Sequence, residues 1–135
     1  MLASFWAAEG GDIPAVISDA GTRTRAEANA NANRLVRALR VRGVKPGDGI
    51  ALMCSNRPEF FEVVAAAKRA GLRLTTVNWH LTGDEAGYIV DDCEATTFVA
   101  DARFAHVVRR AADLAPRVRA LVAVGGAIDG FEEWD

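Results

Sequence analysis

Between Gly49 and Val124 short apolar runs alternate with segments of helical period, and that alternation leaves few folds open. Gly49 to Cys54 (G-I-A-L-M-C) carries no polar side chain. A strand with one wet face would alternate apolar and polar residues. One that is apolar throughout is buried on both faces, as in parallel sheets. Leu72–Val77, Thr96–Ala100 and Leu121–Val124 read as further strands. The segments between them are long enough to be crossover helices. The expected fold is therefore α/β, with a mostly parallel sheet flanked by helices on both faces.

Local signals place the helices. Val16–Ser18 and Thr22–Thr24 flank Asp19-Ala20-Gly21 and predict a hairpin. Thr24 and Glu27 form a capping box, and Ala28, Ala32, Leu35 and Leu39 share one face of the helix that follows, which Gly43 ends. Asn29, Asn31 and Asn33 are poor interior helix formers, so this helix depends on packing. Lys45-Pro46-Gly47-Asp48 is a turn. Asn56 is the expected cap of the next helix, with Pro58 in its first turn, Phe60, Val63, Val64 and Ala67 facing inward, and Gly71 as its stop. Thr82 and Glu85 repeat the capping box ahead of Ala86, Ile89 and Val90. Asp91, Asp92 and Glu94 crowd that helix's C-terminus, where the macrodipole disfavours them, and read as a solvated end. Asp101 is the expected cap of a helix carrying Phe104, Val107, Val108 and Ala111. Phe131 and Trp134, near the terminal Asp135, are spaced like the start of another helix.

Few residues carry recognisable chemistry. There is no G-x-x-x-x-G-K-[ST] or G-x-G-x-x-G motif. Gly125-Gly126 follows a strand but lacks the lysine of a phosphate loop, so it reads as a plain loop. The two histidines, His80 and His106, have no His or Cys at ligand spacing, so no metal site is expected. A Cys54–His80 pair is conceivable at a strand's carboxyl end, but buried structural cysteine is the commoner case. Cys54 and Cys93 read as reduced thiols. With a net charge of −2 and no basic stripe or basic amphipathic helix in view, neither nucleic acid nor a membrane surface is an expected partner. No apolar run is long enough for a transmembrane segment, and the N-terminus lacks a signal peptide's basic region. The expected location is cytoplasmic. The apolar strands need cover on both faces, so a homo-oligomer is possible.

Three blocks carry a family resemblance. The first is Thr24-Arg25-Ala26-Glu27-Ala28, then Ala32 to Leu39, then Gly43-Val44-Lys45-Pro46-Gly47-Asp48. The second is Ile50 to Cys54, Asn56-Arg57-Pro58-Glu59-Phe60, and Ala70-Gly71. The third is Asn78-Trp79-His80-Leu81-Thr82-Gly83-Asp84-Glu85. In this order and spacing they resemble the opening of the AMP-forming acyl-CoA synthetases, within the adenylate-forming superfamily. Arg25 and Ala28 depart from the family's usual aromatic and leucine, and the change touches packing.

The resemblance implies that residues 1–135 form the N-terminal part of an AMP-binding (adenylation) domain. The phosphate loop, the catalytic lysine and the C-terminal domain would lie beyond it. It implies a ligase that uses ATP, Mg²⁺ and CoA to activate a carboxylic acid, with a fatty acid as the expected substrate. No residue here matches the family's catalytic positions, and this chain alone is expected to be inactive. His80 is the one candidate cofactor-binding residue, because a basic residue at this turn lies near CoA in the enzymes it resembles. A turn histidine bonded to local backbone is the plainer reading. The alternatives are a non-catalytic α/β interaction module that pairs with a separate partner chain, and an unrelated receiver-like domain. The latter would want acidic residues at strand ends, whereas Asp91 and Asp92 end a helix.

Overall fold

The computed structural model describes residues 2–134. The element order is α1 (Leu2–Glu9), β1 (Pro14–Ser18), β2 (Gly21–Thr24), α2 (Arg25–Val41), β3 (Gly49–Met53), α3 (Pro58–Ala70), β4 (Arg73–Thr76), α4 (Gly83–Asp92), β5 (Ala95–Asp101), a 3₁₀ turn (Ala102–Phe104), α5 (Ala105–Asp113), β6 (Ala120–Val124) and β7 (Glu132–Glu133). β1 and β2 make a separate antiparallel hairpin, while the other five strands form one sheet in the order β4-β3-β5-β6-β7. Every neighbouring pair in that sheet is parallel.

Side chains alternate across a strand, so each strand divides its residues between two cores. Ile50, Leu52, Val99, Val122 and Val124 meet Leu35, Val36, Leu39, Val63 and Ala66 of α2 and α3. Ala51, Met53, Phe98, Ala100 and Ala123 meet Ala86, Val90, Val108 and Ala111 of α4 and α5. All five residues of β3 are buried, as its apolar run requires. Both capping boxes form, at Thr24–Glu27 and Thr82–Glu85. Gly71 ends α3 in the left-handed conformation, with φ 70°.

Four expectations are corrected. Arg57, not Asn56, is the cap residue of α3, and its side chain makes no cap bond. The buried face of α3 is Glu59, Glu62, Val63, Ala66 and Ala67, whereas Phe60 and Val64 are only half-buried. Two glutamates therefore sit where apolar residues were expected. The acidic end of α4 is not simply solvated. Asp91 pairs with Arg117 at 3.5 Å and Glu94 with Arg73 at 3.6 Å.

The fourth concerns Phe131 and Trp134, which do not begin a helix. The chain instead lies beside β6, with Val122 opposite Glu132 and the Trp134 amide donating to the Ala123 carbonyl at 2.8 Å. A spacing of three puts residues on one face of a helix but on opposite faces of a strand. Accordingly Phe131 packs on the α4/α5 core and Trp134 on the α2/α3 core. Asp135 lies outside the described residues.

Candidate functional site

In an open parallel sheet, ligands bind beyond the carboxyl ends of the strands where successive connections leave in opposite directions. Here that point lies between β3 and β5. The chain leaves β3 through α3 towards β4, and leaves β5 through α5 towards β6 on the sheet's other face. The residues gathered there are Ser55 and Arg57 after β3, Asp101 at the end of β5, and Gly125-Gly126 after β6.

Asp101 is almost fully buried, and its carboxylate is well occupied. Oδ2 accepts from the Ser55 hydroxyl at 2.5 Å, and Oδ1 accepts from the Arg103 amide at 3.0 Å. The expected cap is thus real, although it caps the 3₁₀ turn. The Arg57 guanidinium donates Nε and Nη2 to the two oxygens of Glu59, at 3.1 and 3.3 Å. Its Nη1 stands 3.9 Å from Asp101. The hydrogen bonds to Glu59, helped by its charge, raise the arginine's hold on its proton. The guanidinium lies directly over Gly125, whose φ of 74° and lack of a side chain make room for it.

Arg23 of the hairpin extends the chain of charges. It stands 3.9 Å from Glu59 and 3.3 Å from the fully buried Glu62. Asn31 of α2 donates to the same Glu62 oxygen, Oε1, at 2.7 Å, while Oε2 has no hydrogen-bond partner. Burial pushes the Glu62 carboxyl above its ordinary value, against the pull of Asn31 and Arg23. A cavity of about 230 Å³ opens beside Arg23, Arg57, Glu59, Gly125, Gly126 and Trp134.

These contacts tie the loops after β3, β5 and β6 to one another. The Ser55 hydroxyl is bonded to a carboxylate with no histidine between them, so no Ser–His relay is formed. Burial, with Asp101 second, pushes the Cys54 thiol up to about 12, so it stays protonated. The charged groups that act on this thiol are Asp101, Arg57 and Glu59, and His80 is not among them. His80 instead lies against Trp79, ring centroids 3.7 Å apart, and Trp79 stacks on Phe104 at 5.3 Å. The His80 amide donates to the Asn78 side chain at 3.0 Å, which fixes the turn and leaves the ring exposed. Gly125 and Gly126 are a loop, with φ of 74° and 146°.

Sequence reasoning missed Arg57, Glu59, Glu62 and Ser55 as a unit. The readable signals were an aspartate closing an apolar strand and two glutamates three apart on a helix whose other residues are largely apolar.

The family model for AMP-binding enzymes matches residues 4–132. The fatty acid–[acyl-carrier-protein] ligase ScoC of Streptomyces coeruleorubidus is 28% identical over 131 residues, which is 97% of this chain and 24% of that protein. A 3-oxocholest-4-en-26-oate–CoA ligase of Rhodococcus rhodochrous is 29% identical over 115 residues, 85% of this chain and 21% of that one. Among solved structures, a provisionally assigned long-chain-fatty-acid CoA ligase of Rhodopseudomonas palustris superposes with a TM-score of 0.89 at 26% identity, covering 98% of this chain and 34% of the other. The chain spans about a quarter of the length of the curated relatives it matches. With its sequence matched almost end to end and its fold shared, the chain belongs to the AMP-binding enzyme family.

Proposed function

We propose that this chain is the opening part of an AMP-forming carboxylate ligase. The family match over residues 4–132 carries the reading. The names of its relatives, ligases that join carboxylates to CoA or to an acyl-carrier protein, support it. A carboxylate oxygen is a poor leaving group. Attack by the carboxylate on the α-phosphorus of ATP expels pyrophosphate and gives an acyl-adenylate. A thiol sulfur then attacks the acyl carbon, and AMP leaves with the C–O bonding pair. CoA is the thiol and a fatty acid the substrate in this reading.

The residues of this chain would contribute scaffold. Ser55, Arg57 and Asp101 lock the loops at the sheet's carboxyl end, where later loops would gather around the substrates. Mg²⁺ would accompany ATP, but no group of three or more His, Cys, Asp and Glu side chains among the described residues is arranged to hold an ion. No step is therefore assigned to a metal held here. His80 suits one role: its exposed ring, backed by Trp79, presents a nitrogen that can donate to a CoA phosphate.

Nucleotide-product analysis with a panel of acids tests the reading, on the protein in the full length its gene encodes. AMP and pyrophosphate are expected, and ADP would overturn it. The 135-residue chain is expected to show no carboxylate-dependent pyrophosphate exchange. In the full-length protein, His80→Ala is expected to raise the KM for CoA roughly ten- to a hundredfold, the worth of one charged hydrogen bond, and to leave acyl-adenylate formation intact.

A further inference from the structure

Positive charge that reads as dispersed along the sequence is concentrated on one face. No acidic residue occurs from Ala28 to Gly47, a stretch that carries Arg34, Arg37, Arg40, Arg42 and Lys45. Elsewhere five exposed arginines are neutralised, whereas the exposed Arg103 has no carboxylate at ion-pair distance among the described residues and lies over the Phe104 ring. Arg73, Arg109, Arg110, Arg117 and Arg119 each stand within 4 Å of a carboxylate. Arg34, Arg37 and Arg40 are exposed, and none has a carboxylate at ion-pair distance among the described residues. Arg42 is already accounted for: it pairs with Glu132 and bonds the Ala38 carbonyl near the end of α2. At about 100° per residue, Arg34, Arg37 and Val41 fall within a narrow outer arc of α2, with Arg40 at its flank. Val41 is 87% exposed. The opposite face, Ala32, Leu35, Val36 and Leu39, is buried in the core. Contrary to the expectation of no basic amphipathic helix, α2 is one, and its apolar side is already occupied.

We propose that the outer face of α2 docks an acidic helix of a partner protein. The charge is complementary to an anionic occupant, and two observations favour a helix over a lipid surface. A helix that binds membranes inserts its apolar face, and here that face is in the core and only Val41 projects outward. A lipid plane would also meet the exposed Glu132 and Glu133, which stand beside Arg34 and Arg42 along the border of the basic row. A narrow helix can avoid them. Arg34, Arg37 and Arg40 advance along α2 at about 4.5 Å each, which matches glutamates spaced one turn apart on a partner. The inference does not rest on the adenylating activity, and its test involves no ATP.

The test uses the protein in the full length its gene encodes and a fluorescein-labelled, alanine-based helical peptide of roughly 20 residues with glutamates one turn apart. Fluorescence anisotropy should show binding at roughly 30 mM salt that weakens at least about tenfold at roughly 300 mM, as screening requires. The triple variants Arg34→Glu/Arg37→Glu/Arg40→Glu and Arg34→Gln/Arg37→Gln/Arg40→Gln should each lose at least about tenfold in affinity. Arg73→Glu/Arg109→Glu/Arg117→Glu, with the same net charge change as the first, should not. Circular dichroism checks that all three are folded. No peptide binding, or an equal loss in the control variant, would overturn the proposal. So would tighter binding to anionic phosphatidylglycerol–phosphatidylcholine vesicles or to a nucleic-acid duplex than to the peptide.

Discussion

The two helical layers solve the same packing problem by opposite means. On one face of the sheet, α2 and α3 are joined by polar side chains above their apolar core. Arg69 of α3 reaches the side-chain oxygens of Asn33 at 2.6 Å and Asn29 at 2.9 Å, and Asn31 reaches Glu62. The three asparagines that weaken α2 as a helix are thus the residues that tie it to its neighbour. On the other face, α4 and α5 approach so closely that glycine is required. A methyl group on Gly87 would stand 2.8 Å from the Leu114 Cβ and 3.3 Å from the Ala111 Cα, and one on Gly83 would meet Arg110. The first layer takes its specificity from paired hydrogen bonds, and the second takes it from shape. One should therefore be sensitive to removed atoms and the other to added ones.

The largest expected effect is Leu39→Ala, which opens a cavity under α2 and should cost about 2–5 kcal/mol in urea denaturation. Gly87→Ala reverses the logic. It adds one carbon to the α4–α5 contact and should cost about 1–3 kcal/mol, although alanine is the better helix former. A neutral Gly87→Ala would remove the contrast between the layers. Arg69→Ala should cost about 1–2 kcal/mol, the net worth of its bonds to Asn29 and Asn33. If Asn29→Ala/Asn33→Ala is as destabilising alone as in combination with Arg69→Ala, the clasp acts as a unit.

Glu62 sharpens the comparison through pH. Its folded-state value is raised by burial, so the fold holds the proton more tightly than the unfolded chain does. The stability it contributes is fully present below the unfolded value of 4.5 and is lost as pH rises through the higher folded value. Glu62→Gln carries no such proton. The difference in Tm between wild type and Glu62→Gln should therefore move against the wild type as pH rises from 4.5 through the folded value, and level off above it. A difference independent of pH would mean that Glu62 is not held in this environment. The smallest effect belongs to Arg110→Ala. Its bond to Asp84 is 2.6 Å, yet both side chains are more than half exposed, and the loss should stay within about 0.5 kcal/mol.

The parallel sheet, the two capping boxes and the stop at Gly71 were legible in the residues. Each depends on an interaction within a few positions or on an unbroken apolar run along a strand. The inner face of α3 was not legible, because Glu59 and Glu62 are tolerable in a core only once Arg23 and Asn31 arrive from other elements and the cap residue Arg57 turns back onto Glu59. Phe131 and Trp134 mimic a helical repeat, and only the open flank of β6 makes that segment a strand. The candidate site divides in the same way. His80 could be singled out from its turn, whereas the Ser55–Asp101–Arg57 cluster joins residues up to 46 positions apart, and its one local sign was an aspartate closing an apolar strand.

What the sequence determined by itself is the periodicity and punctuation of the chain. Apolar runs become buried strands, and Thr and Glu three apart become helix starts, because the groups that must be satisfied are near neighbours. What only the tertiary structure decided is the fate of charge. Arg57 over Gly125, the buried Glu62 and the exposed arginines of α2 all follow from which distant groups come within reach. Coulomb and hydrogen-bond energies depend on distances through space, and a linear order of residues does not set those until the sheet has closed.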